Sequence, residues 1–252
     1  RLLTYMSSIV LACSCGLEEG VFFSEEKGNI EFSASRMRIV TKSGDQAEPF
    51  AEGTDFRLFA VQSGRAWGNG EVKFYDVTGT GRNNGLVDYE IDGKKASYDV
   101  GQNLDFYGLT YGTTEKVIIS ESTGTAPTVN VSLDEDGEFT DLMYSDNLKN
   151  RNSSSGILMM EFRHAMARLN FEILKQDEAN DNDKKLEKVV LKKVVLKGTA
   201  AAASFNLGEN TWGYEASDVD DRPVYENTDG LKIETTAQTL KRGEEEINML
   251  VV

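Results

Sequence analysis

The residues that most often carry enzyme chemistry are scarce in this chain of 252 residues. Its only histidine, His164, lies inside the mainly apolar run ILMMEFRHAMARLNFEIL at residues 157–174. Zinc sites combine several His, Cys or carboxylate ligands, and a Ser–His–Asp site needs a histidine beside a nucleophile. A hydrogen-bonded structural histidine inside an apolar strand is therefore the interpretation that the sequence favours for His164.

Other patterns that resemble chemical sites are incomplete. The glycine cluster GTGRNNG at residues 79–85 lacks the Lys-Ser/Thr ending of a phosphate loop, so a hairpin or surface loop is predicted. The acidic run QDEANDNDKK at residues 176–185 lacks the glycine and closing glutamate of a calcium loop. Nothing in the sequence places two carboxylates about 5 to 10 Å apart around a cleft, as glycosidases require. We predict a non-catalytic protein that uses no metal and no cofactor.

The charge balance excludes some classes of partner. The chain carries 27 Lys and Arg against 42 Asp and Glu, a formal net charge of −15. A charge of this sign repels phosphate backbones, so nucleic acid is not an expected partner. It also disfavours adsorption to anionic membrane surfaces.

The first residues predict export and lipidation. The apolar run at residues 2–12 is shorter than the roughly 20 residues that span a bilayer, and it fits the apolar region of a signal peptide. The residues that lead to Cys13 resemble a bacterial lipobox, in which the cysteine receives the lipid, and Cys15 is an alternative acceptor. Residues 1–15 are therefore predicted to be a lipoprotein signal peptide and residues 16–28 an acidic tether. A plain secretory signal is the alternative.

Alternating apolar residues and frequent turn residues predict an all-β fold without a long helix. Residues 157–174 are interpreted as one strand, buried on both faces at its ends, although helical spacing also fits. Residues 186–197 fit an amphipathic helix as well, but their β-branched side chains favour a strand. The other predicted strands are residues 29–40 (one or two short strands), 55–62, 72–77, 86–91, 96–100, 104–111, 116–119, 128–133, 141–145, 200–207, 211–214, 231–235 and 247–252.

A polar stretch at residues 147–156 predicts a domain boundary. The predicted organisation is an N-terminal domain at residues 29–150, a linker at residues 151–156 and a C-terminal domain at residues 157–252. The C-terminal domain is expected to be incomplete, because the apolar run INMLVV reaches the last residue.

The run FRHAMARLNFEI at residues 162–173 resembles a sequence signature of the fimbrillins, which are subunits of type V pili of Bacteroidota and related surface lipoproteins. Further stretches are similar to fimbrillins in the expected order, namely DFRLFAV, LDFYGLTYG, DLMYSD and INMLVV. The positions that match the signature are Phe162, His164, Ala165, Ala167, Arg168, Leu169 and Phe171.

This resemblance implies two tandem transthyretin-like β-sandwich domains in a lipoprotein of the outer membrane. It implies a fimbrial subunit or surface adhesin whose partners are other pilin subunits and a host protein or glycan receptor. In polymerising members an arginine-specific, trypsin-like protease removes the first strand, and a strand of a neighbouring subunit fills the groove. The corresponding cleavage sites here are Arg36 and Arg38, just after a strand at residues 29–35. Lys42 stands where the family suggests an arginine, which departs from the pattern.

A monomeric surface lipoprotein that binds glycan is the alternative function. Exposed aromatic side chains stack on sugar rings, although strand alternation places most of the aromatic residues of this chain in cores. The aromatic residues considered for such a surface are Trp67, Tyr107, Tyr111, Trp212 and Tyr214.

Overall fold

The computed structural model describes residues 28–38, 46–65, 72–112, 116–120, 126–134, 139–174, 189–242 and 244–252. The strands are β1 (Phe32–Arg38), β2 (Gln46–Pro49), β3 (Asp55–Gln62), β4 (Val72–Gly81), β5 (Leu86–Tyr89), β6 (Leu104–Tyr111), β7 (Val117–Ser120), β8 (Thr128–Ser132), β9 (Leu142–Arg151), β10 (Leu158–His164), β11 (Ala167–Asn170), β12 (Glu172–Ile173), β13 (Val190–Ala200), β14 (Ala202–Asn206), β15 (Thr211–Gly213), β16 (Val219–Lys232), β17 (Gln238–Thr239), β18 (Lys241–Arg242), β19 (Glu245–Glu246) and β20 (Asn248–Val251).

The all-β prediction is confirmed. Within the described ranges the only helical element is a short 3-10 turn, Ala216–Asp218. None of the helical segments described there has the length and apolar character that crossing a membrane requires. Strands β3 and β6 have the predicted bounds of 55–62 and 104–111. The glycine cluster forms the end of β4 and the turn that leads into the antiparallel partner β5, which is the predicted hairpin.

Three predicted segments differ from the structure. Residues 157–174 form β10, β11 and β12 instead of one strand, with a bend at residues 165–166. Residues 96–100 form no strand and contribute an isolated bridge from Ser97 to Asn29. Strand β9 continues to Arg151, so the first half of the predicted boundary segment at residues 147–156 is strand.

The largest sheet closes on itself. Its strand order is β10-β9-β6-β3-β4-β5-β1-β2, and β1 also pairs with β10. Strand β1 therefore joins the two ends of the series, and we call this assembly the closed sheet. Apolar side chains fill its interior because alternate residues of each strand point inward. The interior includes Phe32, Phe56, Leu58, Phe106 and Phe162.

A second sheet covers part of the outer face of the closed sheet. This cover sheet has the order β15-β14-β8-β7. Strands β3 and β6 are buried on both faces as a result. Leu58 and Phe106 face the interior of the closed sheet, whereas Phe59 and Leu109 pack in a separate apolar cluster with residues of the cover sheet such as Phe205.

The remaining strands form two-stranded pairs around a smaller apolar cluster. The pairs are β11–β20, β12–β17, β13–β16 and β18–β19. The buried members of the cluster are Val224, Leu240, Ile247 and Met249.

Strand pairs cross the linker predicted at residues 151–156. Strand β10 pairs with β1 and β9, which precede the linker, and β14 pairs with β8. The division into domains at residues 29–150 and 157–252 stays a prediction, and the pairings favour placing β10 with the closed sheet.

Candidate processing strand and the pocket beside it

Strand β1 combines a buried apolar face with a polar outer face. Phe32 and Ala34 are buried in the interior of the closed sheet, as is Ile30 just before the strand. The Phe32 ring lies against the rings of Tyr89 and Phe106, with centroids 5.4 Å away in each case. This alternation is the period of two that a half-buried strand requires.

Backbone pairing fixes β1 on both sides. On one side it runs parallel to β10, with the register Phe32↔Leu158 to Arg36↔Phe162. On the other side it runs antiparallel to β5 at its start and to β2 at its end. Removing β1 would leave unpaired backbone groups on β5 and β10 and would open the apolar interior, because no other described strand joins those two strands.

Both predicted cleavage residues lie within β1. The expectation that they follow a strand ending at residue 35 is wrong, because pairing with β2 extends the strand to Arg38. The Arg36 side chain is half-exposed and forms an ion pair with Glu48 at 3.2 Å. Arg38 is the last residue of the strand and pairs through its backbone with Gln46.

The predictions for the N-terminal residues fall outside the described part of the chain. This concerns Cys13 and Cys15, the signal peptide and nearly all of the acidic tether. Lys42, Trp67 and the acidic run at residues 176–185 lie outside it as well.

His164 is hydrogen-bonded, as the sequence predicts, but it does not lie in the interior of the sheet. Half of its side chain is exposed (50%), and its Nδ1 lies 2.9 Å from Oδ1 of Asp141. Strand β10 is buried on one face only. Leu158, Met160 and Phe162 point inward, whereas Met159 is 63% exposed. The sequence predicts burial on both faces because Met159 continues the run of apolar residues, although its side chain is exposed.

The bend after β10 has defined hydrogen-bond partners. The backbone N–H of Ala165 donates to the carbonyl of Leu142 at 2.8 Å. The indole N–H of Trp212 donates to the carbonyl of Ala165 at 2.9 Å. Met166 is buried next to these groups. The chain therefore changes direction between β10 and β11 at a fixed point.

A pocket of about 900 Å³ lies where β1, β10, β11 and β20 approach each other. We call it the basic pocket, because the described residues that line it include three arginines and a histidine against one carboxylate. Its lining residues are Arg36, Met37, Glu48, Arg163, His164, Met166, Arg168 and Leu250. Sequence reasoning did not single out Arg163 and Arg168 as functional. The sequence offers one sign of them, the close spacing of basic residues around His164.

The aromatic residues considered for glycan binding have different environments. Tyr107 is buried, and Trp212 is engaged with Ala165 and with the ring of Phe205, 4.8 Å away. Tyr214 is 63% exposed and lines a hollow of about 450 Å³ on the outer face of the cover sheet, next to exposed Ile118. Only Tyr214 among these three therefore presents a free ring.

In the part of the chain that the structure describes, no group of three or more His, Cys, Asp or Glu residues is arranged to hold a metal ion.

One solved structure supports the fold, and two others are more distantly similar. A fimbrial protein from Bacteroides vulgatus is similar, with a TM-score of 0.56 and 13% identity over 89% of this chain and 77% of that chain. A proposed cell adhesion protein from Bacteroides uniformis matches with a TM-score of 0.44 and 16% identity over 90% and 75% of the two chains. A proposed adhesin from Bacteroides ovatus matches with a TM-score of 0.38 and 14% identity over 77% and 67%.

Sequence comparisons give the family. No curated protein matches the chain. A model of the fimbrillin-like family matches residues 38–250, which is most of the sequence. The resemblance drawn from residues 162–173 is thereby confirmed, and the chain belongs to the fimbrillin-like family.

Proposed function

We propose that this protein is a non-catalytic structural subunit of a fimbria or a fimbrillin-like adhesin at the cell surface. Membership of the fimbrillin-like family and the fold shared with a fimbrial protein support this proposal. The proposal includes a lipid anchor in the outer membrane at Cys13 or Cys15. It also includes assembly with other subunits and contact with a host protein or glycan receptor.

The observation that carries the proposal is the place of β1 in the closed sheet. Its removal would expose a groove between β5 and β10 with unpaired backbone groups and the apolar sites of Phe32 and Ala34. A strand from a neighbouring subunit would restore the hydrogen bonds and fill these sites, which is strand addition to an open sheet. The incoming strand must run in the direction of β1 to reproduce both registers.

Cleavage is proposed after Arg38 in preference to Arg36. A protease binds its substrate as an extended segment whose backbone is free to pair with the enzyme. Arg36 is paired on both sides, with β10 and with β2, so the strand must open before its peptide bond is accessible. Arg38 lies at the end of β1 and beyond the described register with β10, so less structure has to open.

The two tandem transthyretin-like sandwiches remain part of the proposal. The first sandwich would consist of residues 29–150 together with β10, because β10 fills the position between β1 and β9. The smaller apolar cluster around Val224 and Met249 would be the core of the second.

A disulfide that holds β1 in place tests the proposal. Ser33 on β1 and Leu86 on β5 are register partners in an antiparallel pair. Such partners have Cα atoms about 4.5 to 5.5 Å apart, which is within the range of a disulfide. The variant carries Ser33→Cys and Leu86→Cys, with Cys13 and Cys15 changed to Ser. It is treated with an arginine-specific protease and run unheated on a denaturing gel.

The oxidised variant is expected to be cut without forming oligomers, because the cleaved strand stays bonded to β5. Reduction is expected to release β1 and produce a ladder of detergent-resistant oligomers. Each single-cysteine variant should form the ladder under both conditions. Ladders from the oxidised double variant, or none from any cleaved form, would contradict strand exchange at this groove.

Glycan binding by a monomer is the alternative, and the exposed Tyr214 ring favours it. An aromatic face beside a hollow suits stacking on a neutral sugar ring. The test is affinity electrophoresis in gels that contain glycan. Retardation that Tyr214→Ala abolishes and that the buried-ring variant Tyr107→Phe retains would support this function.

A further inference from the structure

We infer that the basic pocket binds the terminal acidic sugar of a glycan, one that carries a single carboxylate. Residues of β1 and residues of other strands line this pocket together. The connection between the pocket and the removal of β1 rests on the proposed function.

The basic pocket contains cationic side chains that could bind a carboxylate. Arg163 is ion-paired with Asp146, and its guanidinium lies 4.9 Å from the centroid of the Tyr144 ring, so its position is fixed. Arg36 is paired with Glu48. Arg168 is exposed and has no carboxylate partner among the residues that the structure describes. A guanidinium in this situation offers a planar pair of donors to a carboxylate.

The other lining residues of the basic pocket suit the ring of a sugar. Met37, Met166 and Leu250 supply apolar surface between the charged groups. A sugar ring with a carboxylate presents both kinds of surface, C–H groups on one side and an anion at one end. The pocket volume of about 900 Å³ also lies in the range of small-ligand sites, about 300 to 1,000 Å³.

The charge of the whole protein favours a small ligand over a long anionic one. The net charge of −15 repels extended polyanions. A long acidic peptide, or a polysaccharide with many carboxylates, would extend beyond the pocket, where the negative charge of the protein would repel it. In a compact ligand with one carboxylate, the only negative charge would lie beside the arginines of the pocket. The observations therefore favour such a ligand over an acidic peptide.

The pocket spans the strand that processing would remove. Arg36 and Met37 belong to β1, whereas Arg163, Met166 and Arg168 belong to the body. A ligand that contacts both parts binds only the form that retains β1. By linkage it stabilises that form, so occupancy opposes release of the strand.

The binding test uses the intact, uncleaved chain and isothermal titration calorimetry. The acidic probes are sialyllactose and the methyl glycoside of glucuronic acid, and the matched neutral probes are lactose and methyl glucoside. We expect binding of at least one acidic probe and none of its neutral counterpart. Arg168→Ala should weaken binding about 10- to 100-fold, since hydrogen bonds to charged groups are worth about 1.5 to 3 kcal/mol. Arg168→Lys should recover part of the loss.

The matched control is Arg82→Ala, which removes the same charge from a surface ion pair with Asp88, outside the pocket. Its affinity should change less than twofold. Equal binding of acidic and neutral probes, equal effects of the two alanine variants, or tighter binding of tetraglutamate would overturn the inference. So would the absence of binding at millimolar concentrations.

The connection to β1 is tested separately with an arginine-specific protease. A saturating acidic probe should slow the appearance of the cleaved product for the unaltered chain and leave the Arg168→Ala variant unaffected. Cleavage at the same rate with and without a bound probe would refute this connection while leaving the binding site in place. Failure of strand exchange in the disulfide experiment would not alter the calorimetric result.

Discussion

The indole nitrogen of Trp212 lies 2.9 Å from the carbonyl oxygen of Ala165 and donates a hydrogen bond to it. Trp212 belongs to β15 at the edge of the cover sheet, and Ala165 forms the bend between β10 and β11. One side chain of the cover sheet therefore holds the point at which the chain leaves the closed sheet. Arg163 precedes this bend and Arg168 follows it, and both line the basic pocket.

Replacing Trp212 by Phe is expected to destabilise the protein by about 1 to 2 kcal/mol. The change keeps an aromatic ring against Phe205 but leaves the Ala165 carbonyl without its donor. Chemical denaturation measures the free energy of unfolding. The control is Tyr214→Phe at the exposed tyrosine nearby, which should change stability by no more than about 0.5 kcal/mol. Equal stability of both variants would mean that the bend does not depend on Trp212.

Truncating Phe32 to Ala is expected to cost about 3 to 5 kcal/mol, the usual range for a phenylalanine removed from a packed core. Its ring is buried among Phe74, Tyr89 and Phe106. Ser33→Ala, one residue along the same strand on the other face, should have an effect below about 0.5 kcal/mol. Thermal and urea unfolding of both variants measure this difference. A loss below 1 kcal/mol for Phe32→Ala would show that β1 contributes little to the closed sheet.

Two buried tyrosines are expected to respond differently to loss of the hydroxyl. The Tyr89 hydroxyl donates to the carbonyl of Ile30 at 2.8 Å, whereas the buried Tyr98 hydroxyl has no hydrogen-bond partner among the residues that the structure describes. Tyr89→Phe should therefore cost about 1 to 3 kcal/mol, and Tyr98→Phe should leave stability unchanged or raise it. Urea unfolding at neutral pH compares them, and a larger loss for Tyr98→Phe would contradict the structure.

Tyr98 also predicts a dependence of stability on alkaline pH. Burial raises the pKa of Tyr98 from 10.0 to about 12. The folded state therefore retains a proton that the unfolded state loses, and stability present below pH 10 falls as the pH rises towards 12. Tyr98→Phe should lose less stability across this interval than the unaltered chain. Unfolding measured at several pH values, with tyrosinate absorbance, would reveal parallel losses if Tyr98 has no part in them.

Gly108→Ala is expected to destabilise the closed sheet by about 1 to 3 kcal/mol. A Cβ atom at Gly108 would lie 2.8 Å from Cζ of Phe162, inside a packed aromatic group. At Gly112, the residue just after this strand, such a Cβ would lie 3.8 Å from its nearest atom, so Gly112→Ala serves as the control. Thermal unfolding should separate the two variants. Equal melting temperatures would mean that Phe162 moves aside without cost.

The bounds of some strands can be predicted from the sequence alone. The limits of β3 and β6 are those predicted, because both are short apolar runs between turn residues. The strand that covers the first half of the polar stretch at residues 147–156 is not evident from the sequence, because the polar residue Asn147 acts within it. Its side-chain amide donates to the carbonyl of Met159 at 2.9 Å and accepts from the N–H of Glu161 at 3.2 Å, which links β9 to β10. Local polarity alone indicates a linker there.

The candidate site was only partly predictable. The sequence identifies Arg36 as a basic residue near the first strand, but its approach to Arg168 depends on the parallel pairing of β1 with β10. That pairing joins residues 32–36 to residues 158–162, far apart in the chain. The bend at Ala165 likewise depends on Trp212, which follows it by 47 residues. The periodicity of apolar residues indicates which face of a strand is buried, but it does not identify partners that are distant in the chain.

Under the proposed strand exchange, closure of the sheet by β1 would set the competition between β1 and a strand of another subunit for the same groove. While the peptide bond after Arg38 is intact, β1 is an intramolecular ligand whose effective concentration is on the order of millimolar for a short connection. A strand from another molecule must displace it from that position, at a far lower concentration. Proteolysis would abolish this advantage in one irreversible step, and the concentration of neighbouring subunits would then decide which strand occupies the groove.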